Sequence, residues 1–205
     1  MYVYESIQCI DFPCVDVKHG NFSIAQNQID PQKITVFLIS EAAPANLLDA
    51  YYQGEDALFA RTTIQAFRDA GAPVNNMQDV LELGVYCTSA IKCGKTGYGI
   101  QTESIKNCCL LLEKEIALFP NLKVFLLMGD VAIKAVNEIA KRNHQARVIP
   151  AGATYKIRGG DFYFQGKHAF PSYTQAGPSF FIEKSKRKMI AEDIGKALER
   201  VASSG

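Results

Sequence analysis

The chain has 205 residues, of which 48% are hydrophobic and 21% charged. That is ordinary globular composition, with enough apolar mass for one core. A formal net charge of +1 excludes a globally basic protein, so a polyanion would have to meet a local patch. No apolar run reaches membrane-spanning length. The start, "MYVYESIQCIDF", lacks the basic and long apolar regions of a secretory signal. The expectation is a soluble, cytoplasmic monomer that meets no membrane. Six cysteines in that compartment read as buried thiols or metal ligands rather than a disulfide framework. One domain is expected over 1–205, with an irregular segment at 1–33 and a short frayed tail at 203–205.

In chain order, "ITVFLI" (34–39) is a short β-rich apolar run and predicts a buried strand. "DALFARTTIQAFRDAG" (56–71) has helical spacing and stops on Gly71. "LGVYCTSAI" (83–91) predicts a second strand. "TESIKNCCLLLEKEIALF" (102–119) predicts a helix that Thr102 can cap, with Ile105, Cys109, Leu112 and Ile116 on one face. "LKVFLLMG" (122–129) is a third strand, and "DVAIKAVNEIAKR" (130–142) a helix with Asp130 at its positive end. Residues 153–173 alternate and turn at Gly159–Gly160 and Gln165–Gly166, which suggests a hairpin into a last strand. Residues 182–202 form a terminal amphipathic helix. Strands alternating with helices predict an α/β fold around a mainly parallel sheet. Ligands bind such sheets outside the carboxyl ends of the strands. Function is therefore sought in "SEAAPAN", "TSAIKCG", "GD" and "PSYTQAGPS".

"TSAIKCGKTGYG" (88–99) contains Gly-Lys-Thr, but Ser89 stands where a phosphate-binding loop needs its first glycine. Gly97 and Gly99 also delay the helix that such a loop should open.

The strand ends, taken in order over roughly residues 9–200, resemble the uracil-DNA glycosylase superfamily. Its iron–sulfur branch ends a strand in Gly-Glu-x-Pro-Gly; here Ser40, Glu41 and Pro44 stand with one extra residue between Glu and Pro. Gly54 and Phe59 fall where that branch has a base-stacking Phe segment. Tyr86, Thr88, Lys92 and Cys93 match a Tyr-x-Thr-Asn-x-x-Lys-Cys segment, with Ser89 at the base-reading Asn. Met128, Gly129 and Ala132 match a Leu-Gly-x-x-Ala strand end. The last motif, Pro-Thr-x-His-Pro-Ser, departs: in "FPSYTQAGPS", Thr174 takes the place of the histidine. That turn looks more like the mismatch-specific and hypoxanthine-removing branches. The resemblance implies a three-layer α/β/α sandwich around a short parallel sheet.

It also implies excision of a deaminated base, uracil or hypoxanthine, from DNA. Such a base must leave the stack and enter a pocket. Glu41 would orient water under the sugar and offset its charge, Phe59 would stack, and Ser89 would read a base edge. Thr174 and Gln175 would close over the sugar. Read without the resemblance, Glu41 caps the following helix, Phe59 is core, Ser89 satisfies backbone, and Thr174 and Gln175 make a plain turn. Lys184, Lys186 and Arg187, in "EKSKRKM", would contact DNA phosphates or form a solvated helix face. His168 reads as half-buried at the start of the last strand; His19 and His144 read as loop residues.

In the resembled branch four cysteines hold a 4Fe–4S cluster, and Cys9, Cys14, Cys93 and Cys108 occupy those places. "CIDFPC" has four intervening residues where two are usual. Packing thiols are the alternative, and Cys87 and Cys109 look like core. Two other functions stay open: a superfamily member that binds nucleic acid without hydrolysis, and a nucleoside or nucleotide hydrolase on the same scaffold.

Overall fold

The structure is a computed structural model and describes residues 1–203. The elements are α1 (Val3–Ser6), β1 (Val17–Lys18), β2 (Val36–Ala43), α2 (Leu58–Asp69), α3 (Met77–Glu82), β3 (Val85–Lys95), α4 (Thr102–Ile116) and β4 (Val124–Met128). They continue with α5 (Asp130–Arg142), α6 (Thr154–Ile157), β5 (Tyr163–Phe164), β6 (Lys167–Ser172), α7 (Ser179–Ile182) and α8 (Lys184–Ala202).

The six strands form one sheet in the order β1-β3-β2-β4-β6-β5. The central pairs β3/β2, β2/β4 and β4/β6 are parallel, and the short edge strands β1 and β5 are antiparallel. Both faces of the sheet are covered, which explains why β4 and the first half of β2 read as unbroken apolar runs. Phe37, Ile39, Tyr86, Phe125 and Leu127 pack with α4 and α5 on one face. Val36, Leu38, Val85, Cys87, Val124 and Leu126 pack with α2 and α8 on the other. This is the expected three-layer α/β/α sandwich. Among the described residues no helix is long and apolar enough to cross a membrane.

Several boundaries differ from the sequence reading. The second predicted strand runs to Lys95 rather than residue 91, because β1 pairs with Lys95 and Gly94. Cys93 is therefore in a strand and not in a following loop. The segment 1–33 is not wholly irregular, since it contains α1 and β1. Gly159–Gly160 turns no hairpin; α6 precedes it, and the hairpin turns at Gln165–Gly166, both at positive φ. The N-cap of α4 is Gln101 without a side-chain bond, so Thr102 is its first residue and not its cap. The helix α3, unmarked in the sequence reading, is capped by Asn76, whose side chain accepts from the Asp79 N–H. The tail expected to fray begins in order: the Ser203 N–H donates to the Glu199 carbonyl (3.0 Å). Residues 204–205 lie outside the described residues.

Candidate active site

The chain leaves β2 toward β3 on one side, whereas β4 leads to β6 on the other. Connections that diverge in this way open a crevice beyond the carboxyl ends of the two strands. Glu41 stands there, two residues before β2 ends. The pairing of β2 with β3 shifts register between Ala42 and Ala43, and such irregularities re-aim side chains at strand ends.

Glu41 is half-buried and faces the start of α5. That helix has Gly129 as its N-cap, with no side chain to cap it. Instead the Val131 N–H donates to Glu41 Oε1 (3.4 Å). A carboxylate is stabilised at this positive helix end. Glu41 thus caps a helix, but α5 from the neighbouring strand rather than the segment that follows it.

A cleft of about 600 Å3 opens over Glu41. Its lining includes Glu41, Phe59 and Thr174, together with Pro44, Asp49, Lys95 and Tyr98. Three of the five residues expected to handle a base therefore share one cavity. Phe59 is only 8% exposed and belongs to the α2/α8 core as well as to the cleft wall. Its ring packs on Tyr51 at 5.3 Å.

Ser89 and Gln175 do not line that cleft. Both are buried. Ser89 sits opposite Ser40 in the β2/β3 register, and their hydroxyls hydrogen-bond at 3.0 Å. Gln175 Nε2 donates to the Tyr51 hydroxyl (3.0 Å) and to Thr63 Oγ1 (3.2 Å), and the Ser40 side chain lies close enough to the Tyr51 hydroxyl to offset part of the upward pull of burial on its pKa. Gln175 Oε1 is buried without a partner among the described residues. Ser89, Ser40, Tyr51, Gln175 and Thr63 form a buried polar chain that meets the cleft through the Tyr51–Phe59 contact.

The family-like Tyr86, Thr88 and Lys92 serve a second buried network that the sequence reading did not contain. Lys92 pairs with Glu115 of α4, both at 0% side-chain exposure. Lys92 Nζ also donates to Thr88 Oγ1 and the Ser89 carbonyl, each at 2.7 Å. The Tyr86 hydroxyl donates to Glu115 Oε1 (2.6 Å), and Thr88 Oγ1 donates to the same oxygen (3.0 Å). Every polar group of the pair is met, as a buried charge requires. The available signal was a lone Glu on the apolar side of an otherwise amphipathic helix.

The basic run lies away from the cleft lining. Arg187 Nη2 donates to Asp69 Oδ1 (2.8 Å), tying α8 to α2. That hydrogen bond holds the Asp69 carboxyl below its ordinary range. Lys186 pairs with Glu183 (2.7 Å) and lies over the Tyr173 ring (5.4 Å). Lys184 is exposed. His168 stacks on Phe170 at 4.2 Å, and burial lowers its pKa.

Cys9, Cys14, Cys93 and Cys108 line a second cavity, of about 350 Å3. All six cysteines are free thiols. The long Cys9–Cys14 spacing closes on this cavity through a turn in which Phe12 has a φ of 42°. The Lys92 N–H donates to Cys108 Sγ (3.2 Å). Burial, with the neighbouring thiols, pushes Cys93 up to about 12. Burial likewise takes Cys108 up to about 11, against the Lys92 N–H that lowers it. Cys87 and Cys109 are core, as expected. No group of three or more His, Cys, Asp or Glu among the described residues is placed to hold a metal ion. The four thiols border a cavity instead of converging on a point.

No family model matches the chain. A type-5 uracil-DNA glycosylase from Thermus thermophilus is 27% identical over 99 residues. The match covers 48% of this chain and 45% of that relative, so it spans about half the length of each. With the order of the strand-end motifs and the α/β/α sandwich already described, this match supports a place for the chain in the uracil-DNA glycosylase superfamily.

Proposed function

We propose that the protein is a DNA glycosylase that removes a deaminated base, uracil or hypoxanthine, by hydrolysing its N-glycosidic bond. The carrying observation is the cleft at the β2/β4 crevice that brings Glu41, Phe59 and Thr174 together. The base leaves with the bonding electron pair, and positive charge develops on the sugar. Water adds to the sugar C1′ and loses a proton, the base anion gains one, and the products are an abasic site and a free base. Glu41, held by the Val131 N–H, orients that water and offsets the sugar charge. Phe59 stacks on the extruded base. Thr174 closes over the sugar. Base reading by Ser89 and Gln175 requires the Tyr51–Phe59 pair to open as the base enters, and the unpartnered Gln175 carbonyl supports such a role.

Alkali-sensitive cleavage of oligonucleotides carrying uracil, hypoxanthine or a mismatch, single- and double-stranded, tests this reading. Release of one base, lost in Glu41→Gln, supports it; no release from any substrate by the folded protein overturns it. The second reading is a member that binds DNA without hydrolysis. Thr174 in place of the family's histidine favours it, and tight binding without release identifies it.

We further propose that the cysteine cavity takes a 4Fe–4S cluster. Four free thiols border one space, the number of thiolates such a cluster needs, and a backbone N–H is aimed at one sulfur. Cys9, Cys14, Cys93 and Cys108 would hold it, with a structural role. Those ligands would tie the N-terminal segment to β3 and α4. Phosphate contacts by this chain rest first on the exposed Lys184; Lys186 and Arg187 would join it by sharing or leaving their carboxylate partners Glu183 and Asp69.

A further inference from the structure

Tyr98 is fully exposed, at 105%, the highest value among the large hydrophobic side chains. It nevertheless lines the same cleft as Glu41 and Phe59. It stands between Gly97 and Gly99, and a Cβ at either glycine would meet nothing within 4 Å. The ends of this loop are pinned. Thr96 Oγ1 donates to the Asp16 carbonyl, and the Gln101 N–H donates to Asp16 Oδ2, both at 2.7 Å. A loop fastened at its base therefore presents one aromatic ring to solvent at the mouth of a cleft. Exposing a whole ring forgoes the burial that stabilises other aromatics, so the fold itself gives no reason for a tyrosine here. The half-buried Lys95 lines the cleft beside it.

We propose that Tyr98 is a DNA-contacting residue: its ring stacks on the base neighbouring the one taken into the cleft. This inference rests on the glycosylase reading for its ligand. Extruding a base breaks stacking on both of its neighbours. A projecting ring restores one of those faces, and it does so without sequence preference because every base has a π-face. Phe59 holds the extruded base from the cleft wall, and Tyr98 holds the strand it came from.

The test uses Glu41→Gln protein, so that binding is read without turnover, on duplex and single-stranded oligonucleotides with the target base beside 2-aminopurine. Tyr98→Ala in that background is expected to weaken binding roughly ten-fold and to abolish the 2-aminopurine fluorescence change. Tyr98→Phe is expected to retain both. Unchanged affinity and fluorescence in Tyr98→Ala overturn the proposal, even where base release by the wild-type protein upholds the glycosylase reading. Conversely, a wild-type protein that releases no base, but whose Tyr98→Ala variant loses affinity and the fluorescence signal, leaves Tyr98 standing and removes only the hydrolysis. Absence of DNA binding by the Tyr98-containing protein overturns both.

Discussion

Glu41 lies directly on the backbone of Gly129: a Cβ at position 129 would stand 2.6 Å from Glu41 Cγ and 2.8 Å from its carboxylate Oε1. Gly129 has φ 104° and ψ 168°, a region essentially confined to glycine. One residue thus both ends β4 and leaves room for the carboxylate from β2. Gly129→Ala is expected to destabilise the protein by about 1–3 kcal/mol and to displace Glu41. Base release should fall toward the level of Glu41→Gln, while DNA binding is largely kept. Retained activity with lowered stability would separate the backbone effect from the placement of Glu41.

The Lys92–Glu115 pair yields an asymmetric prediction. Lys92→Met leaves the Glu115 carboxylate buried and uncompensated, expected to cost about 3–5 kcal/mol in urea unfolding. Adding Glu115→Leu should recover much of that loss, because a buried pair can be exchanged for apolar packing at little cost. A double variant as unstable as the single one would mean that the hydrogen bonds to Tyr86 and Thr88 matter more than the charges.

The Arg187–Asp69 tie predicts a pH dependence. Arg187 lowers the Asp69 pKa below its ordinary value. A carboxyl lowered by folding contributes stability above its unfolded pKa and loses it as pH falls through the folded value. Asp69→Asn should therefore be less stable than wild type at neutral pH, by up to about 1 kcal/mol. The difference should vanish on acidification below the usual carboxylate range. A gap that persists in acid would assign the effect to packing of α2 on α8.

The cysteines divide into two sets by position. Cys108→Ser and Cys93→Ser are expected to abolish visible iron–sulfur absorbance in anaerobically purified protein and to lower its iron content. Cys87→Ser, in the α2/α8 core, is expected to leave the absorbance and reduce stability. A colourless, iron-free wild-type protein would leave all six as packing thiols.

Much of the scaffold was legible because it depends on local periodicity. The helix predicted over 130–142 is α5 to the residue, since its apolar stripe and Asp130 both act within one helix. The cores of β2 and β4 were equally readable, because burial on both faces leaves an unbroken apolar run. The end of β3 was not, because Lys95 is held in the sheet by Val17, a distant partner. The edge strands β1 and β5 have two residues each, too short for any period to register. For Arg187 the sequence displays the charge but not the carboxylate of Asp69 that it meets across the α2–α8 contact.

By itself the sequence determined the alternation of strands and helices, the apolar stripes that bury them, and the chemistry available at each strand end. Tertiary structure alone decided which of those residues meet. Glu41, Phe59 and Thr174 share a cleft, whereas Ser89 and Gln175 turn inward to Ser40 and Tyr51. Cys9 and Cys14 reach one cavity with Cys93 and Cys108. The physical reason is that periodicity is a property of neighbours along the chain. A cleft is made by strand order and register, which pair residues separated by tens of positions.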